Sequence, residues 1–216
     1  MMKTTKITAT ENGPFKIVNA SKIENAKGTL LSQEEELWLC RCGGSINKPF
    51  CDGTHNTNGF TGHSEAHEVS KTVEYKGKHI IIYDNRSICA KRGYCTRELP
   101  TVFQKNEKWI NPDGDSVEKI IDICNRCPSG ALSYALIGEE KCWGDIVPDT
   151  IVSLSEKRFG SHGPYDVKGD REISGQASRQ PESPVKTTLC RCGHSTNKPF
   201  CSGEHYKIKF QDEKNE

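Results

Sequence analysis

The chain has little of what would let it fold around a large core. Only 33 % of its 216 residues are hydrophobic and 7 % aromatic, and mean hydropathy is −0.70. Units of about 60 residues built from such material cannot bury enough apolar surface to be stable alone, so a bound metal or cluster is expected to supply the difference. No run approaches the length of a membrane-crossing helix; the most apolar, Ile80-Ile81-Ile82-Tyr83, is the size of a strand. The N-terminus lacks the apolar stretch of a secretory signal. Neither sign of charge dominates, with 30 basic against 29 acidic residues and a net charge of +1, so nothing at whole-chain level points to nucleic acid or an anionic membrane. There is also no nucleotide-binding glycine motif, no nucleophile–base pattern and no recognisable carboxylate pair, which leaves an assignment as an enzyme without support. These absences describe a soluble protein of a reducing compartment, with a cytoplasmic location expected.

Cysteine is abundant: the chain has 11. An odd count with ligand-like spacing argues against a disulfide scaffold. Cys40, Cys42, Cys51 and His55 form a complete four-ligand set within one short loop, and Cys190, Cys192, Cys201 and His205 repeat it 150 positions later with identical spacing. The repeat extends beyond the ligands. The same offset lays Gly13-Pro14-Phe15 on Gly163-Pro164-Tyr165, Ile23 on Ile173 and Phe60 on Phe210, as expected of a duplicated structural unit. Short strands are expected at Phe15–Val18 and Tyr165–Lys168, and again at Leu37–Leu39 and Thr187–Leu189, leading into the ligands. Pro49-Phe50-Cys51 is expected to open a short helix, since proline suits a first helical position. Arg41, Arg191, Lys48 and Lys198 surround the motifs, either as solvated or ligand-shell charge or as a docking surface for an acidic redox partner. Three thiolates and one imidazole equally make a structural zinc set, although C-x-C followed by C-x3-H is unusual for zinc hooks.

The pattern C-x-C-x2-S-x3-P-x-C-D-G-x-H, running from Cys40 to His55, resembles the CDGSH (mitoNEET-type) iron–sulfur family. The resemblance implies a [2Fe–2S] cluster in each copy. Cys40 and Cys42 would hold one iron and Cys51 and His55 the other, with Cys190, Cys192, Cys201 and His205 doing the same in the second copy. There Ser202 replaces the aspartate and Glu204 the usual small residue, so the second cluster is expected to differ in potential and lability. One neutral imidazole in place of a thiolate makes an added electron less costly. It also admits coupling of reduction to proton uptake.

Residues 68–146 carry the remaining cysteines. A hairpin is expected from Thr72 to Tyr83 around Lys76-Gly77-Lys78, then Cys89 and Cys95, then a helix capped by Ser116 and reaching about Asn125. Cys127-Pro-Ser-Gly-Ala-Leu132 follows. With Cys89-x5-Cys95 and Lys108-Trp109-Ile110-Asn-Pro, these words resemble the divergent single-cluster ferredoxin-like domain that accompanies CDGSH motifs. That implies a [4Fe–4S] or [3Fe–4S] cluster on Cys89, Cys95 and Cys127. Arg92 stands where a full ferredoxin has its middle cysteine. Cys124, which also continues the apolar stripe of Val117, Ile120 and Ile121, and Cys142, beside Trp143, are the thiols left to supply a fourth ligand; otherwise a three-iron cluster or a non-cysteine ligand is implied. Of the other histidines, His63, His67, His79 and His162 have no such setting, with His63 and His67 reading as surface residues. His194 lies inside the second ligand loop where the first copy has Gly44, and is placed to tune that cluster without ligating it.

The expected architecture is α+β. Two small β-rich units (1–67 and 147–216) pair into a pseudo-symmetric β-cap bearing the cluster loops, and a ferredoxin-like α+β domain (68–146) lies between them. A monomer with an internal pseudo-two-fold is favoured over a dimer. The expected function is electron transfer to redox partner proteins. The alternatives are cluster storage or delivery to apo-acceptor proteins, and a structural zinc protein.

Overall fold

Two sheets share one core, and each is built from both ends of the chain. In the computed structural model residues 4–65, 71–104, 109–176 and 180–215 are described; His67 and Lys108, singled out above, lie outside them. From the first half come β1 (Thr5–Ala9), β2 (Phe15–Val18), β3 (Lys22–Glu24), β4 (Leu30–Ser32) and β5 (Glu36–Leu39). The second half contributes β9 (Ile151–Leu154), β10 (Tyr165–Lys168), β11 (Arg171–Gly175) and β12 (Lys186–Leu189). The strands expected ahead of the ligands therefore form where their alternation placed them, each extended by one residue at its N-terminal end.

The sheets run β11-β1-β2-β5 and β12-β10-β9-β3-β4. The second half thus sends β11 into the first half's sheet, and the first half sends β3, with β4 beside it, into the second half's sheet. β11 pairs in parallel with β1, opposing Ile173 to Ile7, and β3 pairs in parallel with β9, opposing Ile23 to Val152. Alternate residues of all these strands point inward. Ile7, Phe15, Ile17, Ile23, Leu37 and Leu39 meet Val152, Leu154, Tyr165, Val167, Ile173 and Leu189 in one buried cluster. Each fully buried aliphatic side chain there contributes about 1.5–3 kcal/mol, and neither half could enclose them alone.

A third sheet, β6 (Val73–Lys76), β7 (Ile80–Asp84) and β8 (Leu132–Leu136), runs in that order and is antiparallel throughout. Helix α2 (Val117–Arg126) starts where Ser116 Oγ accepts from the Lys119 N–H, and it buries Ile120, Ile123 and Cys124 against this sheet. A five-residue helix, α1 (Tyr94–Glu98), carries Cys95 and was not anticipated. The sheet docks on the second half through Glu182, which accepts from Thr72 Oγ1 (2.8 Å), Asn85 Nδ2 (2.7 Å) and Lys141 Nζ (2.7 Å). Lys186 Nζ, buried on β12, donates to the Cys124 and Asn125 carbonyls at 2.7 and 3.0 Å.

One expectation is corrected. Pro49-Phe50-Cys51 does not open a helix. The Lys48–Pro49 peptide is cis, Phe50 bridges back to Leu39, and Cys51 N–H donates to the Trp38 carbonyl. The carbonyls a helix would need are already engaged, with Pro49 O accepting from Cys40 N–H and Phe50 O from Ser45 Oγ. Helical geometry begins only at Thr54–Asn56, as one tight 3-10 turn carrying His55. The second copy behaves identically, with Glu204–Tyr206 as its turn.

Candidate metal centres

Both duplicated loops bring their candidate ligands together in pairs. In the first, Cys40 Sγ lies 3.7 Å from Cys42 Sγ, and Cys51 Sγ lies 3.5 Å from His55 Nδ1. The matching distances in the second are 3.8 Å for Cys190–Cys192 and 3.5 Å for Cys201–His205 Nδ1. A tetrahedral ion with metal–sulfur bonds of about 2.3 Å holds two thiolates roughly 3.8 Å apart, and holds a thiolate and an imidazole nitrogen roughly 3.5 Å apart. Each pair is therefore spaced for one metal ion. Among the described residues, no group of three or more His, Cys, Asp or Glu side chains is arranged to hold a single ion. Burial raises the Cys40 thiol to about 11, so a bound cation is what would draw off its proton.

The loops are held by short polar contacts. Asp52 accepts from the Thr54 and Ile46 N–H groups and from Thr54 Oγ1 (3.0, 2.8 and 2.7 Å), which holds its carboxyl far below the usual range. At the same position Ser202 accepts from Thr196 N–H at 3.2 Å. Arg41 and Arg191 do not form a docking surface. Both are about 2 % exposed and run beneath the loops, Arg41 between Phe15 and Phe60, Arg191 between Tyr165 and Phe210. Arg191 pairs with the buried Asp212, whereas among the described residues Arg41 donates to neutral oxygens, Thr10 O and Gln176 Oε1, each at 3.0 Å. Lys198 is buried as well, and Lys48 donates to the Ser45 carbonyl at 2.6 Å.

The copies differ in cover. Cys42, Cys51 and His55 are half-buried, whereas Cys190, Cys192, Cys201 and His205 are buried. Tyr206 stands where the first copy has Asn56, its ring 4.1 Å from that of His205 and 5.8 Å from that of Phe159. The two Cys-x-Cys turns touch. Gly43 and Gly193 have positive φ, and a Cβ on Gly43 would sit 2.5 Å from the Cys192 carbonyl oxygen, with Gly193 meeting Cys42 reciprocally. Tyr165 Oη donates across the interface to Cys40 O (2.9 Å) and Pro49 O (3.0 Å).

In the middle segment, Cys89, Cys95 and Cys127 line one cavity, together with Asp84, Arg86 and Arg92. Burial raises the Cys95 thiol to about 12. Cys124 lies in the core with Ile120, Ile123 and Leu132. Cys142 forms a bridge opposite Tyr134, exchanging backbone hydrogen bonds with it at 2.7 and 3.0 Å. Neither of these two thiols lines the cavity. The loop between Cys89 and Cys95 rests on the second duplicated site. Arg92 Nη1 donates to Tyr206 Oη (3.2 Å), Arg92 Nη2 to Glu156 O (2.9 Å), and Arg158 Nη1 donates to Arg92 O (2.6 Å). Lys91 packs against Gly203. The three sites thus succeed one another through direct protein contacts: middle, second copy, first copy. His63, His79 and His194 are exposed, and His162 is buried with Nδ1 accepting from Asp212 N–H.

Paired thiolate and imidazole ligands on duplicated loops beside a three-cysteine cavity define the class, an iron–sulfur protein. Residues 12–56 and 162–206 each match the family described as "Iron-binding zinc finger CDGSH type", and residues 75–136 match "Divergent 4Fe-4S mono-cluster". The chain belongs to the CDGSH-type iron-binding family, with a divergent 4Fe–4S mono-cluster unit between its two CDGSH units. It is similar to "Uncharacterized protein YjdI" of Escherichia coli strain K12 and of Escherichia coli O157:H7, 39 % identical in each case over 61 residues that cover 28 % of this chain and 80 % of the relative. No solved structure matches. No helix among the described residues is long and apolar enough to cross a membrane.

Proposed function

We propose that the protein is an electron carrier with three iron–sulfur centres in a line. The observation that carries this is the paired spacing of the eight duplicated ligands, two ligands per metal position and two positions per loop, which suits a two-iron cluster better than a single zinc ion. Cys40 and Cys42 would bind one iron and Cys51 and His55 the other; Cys190 with Cys192, and Cys201 with His205, would do likewise. Cys89, Cys95 and Cys127 would bind a [4Fe–4S] or [3Fe–4S] cluster. Such clusters supply reversible uptake of one electron. The protein's own part is to fix the ligands on short hydrogen-bonded turns, to limit water at the second site with Tyr206 and Arg92, and to keep neighbouring sites in contact through Gly43, Gly193 and the 89–95 loop. The exchanged strands β3 and β11 support a pseudo-two-fold cap assembled within one chain, hence a monomer of three units divided near residues 67 and 146. A redox protein would meet the more open first site.

That openness also favours a second reading, cluster delivery to an apo-acceptor. Cys42, Cys51 and His55 are half-exposed and Ile46 beside them is 91 % exposed. The test is iron, sulfide and zinc per chain on anaerobically purified protein, with absorption and electron paramagnetic resonance spectra. About seven or eight irons with equal sulfide, reduced and reoxidised without loss, is the expected result. Release to an apo-ferredoxin faster than reoxidation would favour delivery, and a colourless zinc protein after reconstitution would end both readings.

A further inference from the structure

A three-cysteine cavity leaves one iron of a four-iron cluster without a protein ligand, and among the described residues the fold puts a single buried carboxylate at that cavity. Asp84 ends β7, whose inward positions alternate Ile80, Ile82, Asp84. The first two belong to the apolar core, so the strand's period calls for an apolar side chain where the aspartate stands. It is 2 % exposed. A carboxylate at such depth is costly unless its lone pairs are satisfied. Only one oxygen is. Oδ2 accepts from Arg86 Nε at 2.9 Å and from Trp109 Nε1 at 3.0 Å, while Oδ1 is buried with no hydrogen-bond partner among the described residues. The residue lines the same cavity as Cys89, Cys95 and Cys127.

We propose that Asp84 Oδ1 is the fourth ligand of the middle cluster, giving a [4Fe–4S] centre held by three thiolates and one carboxylate. The proposal rests on the reading of the middle segment as a cluster site. The other candidates are engaged elsewhere. Cys124 is packed in the core and Cys142 faces Tyr134, while Ser129, which also lines the cavity, has its Oγ taken up by Ala131 N–H at 3.3 Å and Cys127 Sγ at 3.8 Å. Arg86 and Trp109 act as orienting groups; the guanidinium stacks on the indole at 3.8 Å and both donate to Oδ2, so Oδ1 is the oxygen left to bind a metal. A carboxylate is a harder donor than a thiolate, so the iron it holds is the one most easily exchanged.

The experiment uses the full chain, reconstituted anaerobically with ferrous iron and sulfide, with iron counts and electron paramagnetic resonance of the middle centre as readouts. Asp84→Ala is expected to lose one iron of that centre and to show a three-iron signal when oxidised, while Cys124→Ala and Cys142→Ala keep all four. Asp84→Cys is expected to keep four irons with an altered spectrum. Four irons and an unchanged spectrum in Asp84→Ala would overturn the assignment, as would a middle centre of only three irons in the unaltered protein. Should Asp84→Ala lose the whole centre, Asp84→Cys decides: an altered four-iron spectrum supports ligation, and a spectrum identical to the parent's refutes it. An unaltered protein with no middle centre at all would defeat the cluster reading itself, a result distinct from these.

Discussion

The contact between the two Cys-x-Cys turns can be tested with two alanines. Gly53 and Gly43 both have positive φ, +89° and +76°, but their surroundings differ. A Cβ on Gly53 would have its nearest neighbour at 3.9 Å, the Asn56 side-chain nitrogen. Gly53→Ala therefore isolates the backbone cost of a left-handed alanine, about 1–2 kcal/mol. A Cβ on Gly43 would lie 2.5 Å from the Cys192 carbonyl oxygen and 2.8 Å from its carbon. Backbone cannot swing aside as a flexible side chain can, and forced overpacking of this kind costs about 1–3 kcal/mol more. Gly43→Ala should thus melt roughly 2–12 °C below Gly53→Ala at the same scan rate, taking about 2–4 °C per kcal/mol for a chain of this size. The displaced group belongs to a proposed ligand of the opposite loop, so Gly43→Ala should also speed bleaching of both duplicated centres, whereas Gly53→Ala should affect the first alone. The second effect is isolated by repeating the measurement in a Cys51→Ser background. If the two alanines melt together, or if Gly43→Ala leaves the second centre's lifetime unchanged, the turns do not touch as described.

Three further outcomes follow from named contacts. Arg191→Met strands the buried Asp212 and should cost about 3–5 kcal/mol, against about 1–3 kcal/mol for Arg41→Met, whose partners are neutral oxygens; denaturant midpoints of the two variants at matched metal loading decide. Burial pulls the Glu182 pKa upward, but the hydrogen bonds from Lys141, Asn85 and Thr72 outweigh it and leave the net value depressed. Its stabilisation is thus present above the unfolded pKa near 4.5 and lost as pH falls through the lower folded value; between pH 6 and 3 the melting temperature should fall less in Glu182→Gln than in the parent, and equal slopes would remove Glu182 from the docking account. Tyr206→Ala should open the second site, so that an iron chelator strips it at a rate approaching that of the first; unchanged stripping would mean that the ring is not its cover.

How much of this was legible in the sequence depended on range. The ligand words could be read because their chemistry is local: Cys40 to His55 close one loop, and the 150-residue offset repeats it. The strands ahead of the ligands were legible for the same reason, as was the Ser116 cap. The exchange of β3 and β11 was not, because Ile23 and Ile173 look alike whichever sheet receives them and partner choice is decided by the shared core. Pro49 misled because proline fits a first helical turn as well as a hydrogen-bonded loop, and only the tertiary bonds to Pro49 O and Phe50 O separate the two. For Arg41 and Arg191 the sequence leaves solvated charge, ligand-shell contact and a docking surface all open; the aromatic pairs that bury them, Phe15 with Phe60 and Tyr165 with Phe210, lie far away in sequence, although the offset aligns them. Asp84 carried a signal, a carboxylate in phase with Ile80 and Ile82, that strand periodicity could have raised.

Duplication placed two equal ligand sets in one chain, and the structure makes them unequal by substitutions at aligned positions outside those ligands. Tyr165 for Phe15 adds a hydroxyl that ties the second half to the first loop. Tyr206 for Asn56 roofs His205, and Asp212 for Gly62 gives Arg191 a buried counter-charge, where Arg41 has only the neutral amide oxygen of Gln176 across the interface. Two identical subunits could not differ in this way, since a symmetric pair must apply each substitution twice. Joining the units in one chain therefore permits an inner site that is sealed and abuts the middle segment, beside an outer site that solvent and partners can reach. A carrier that accepts electrons at one end and releases them at the other needs that inequality. A store with two equivalent exits has no use for it, and this is the argument for ranking electron transfer above cluster delivery.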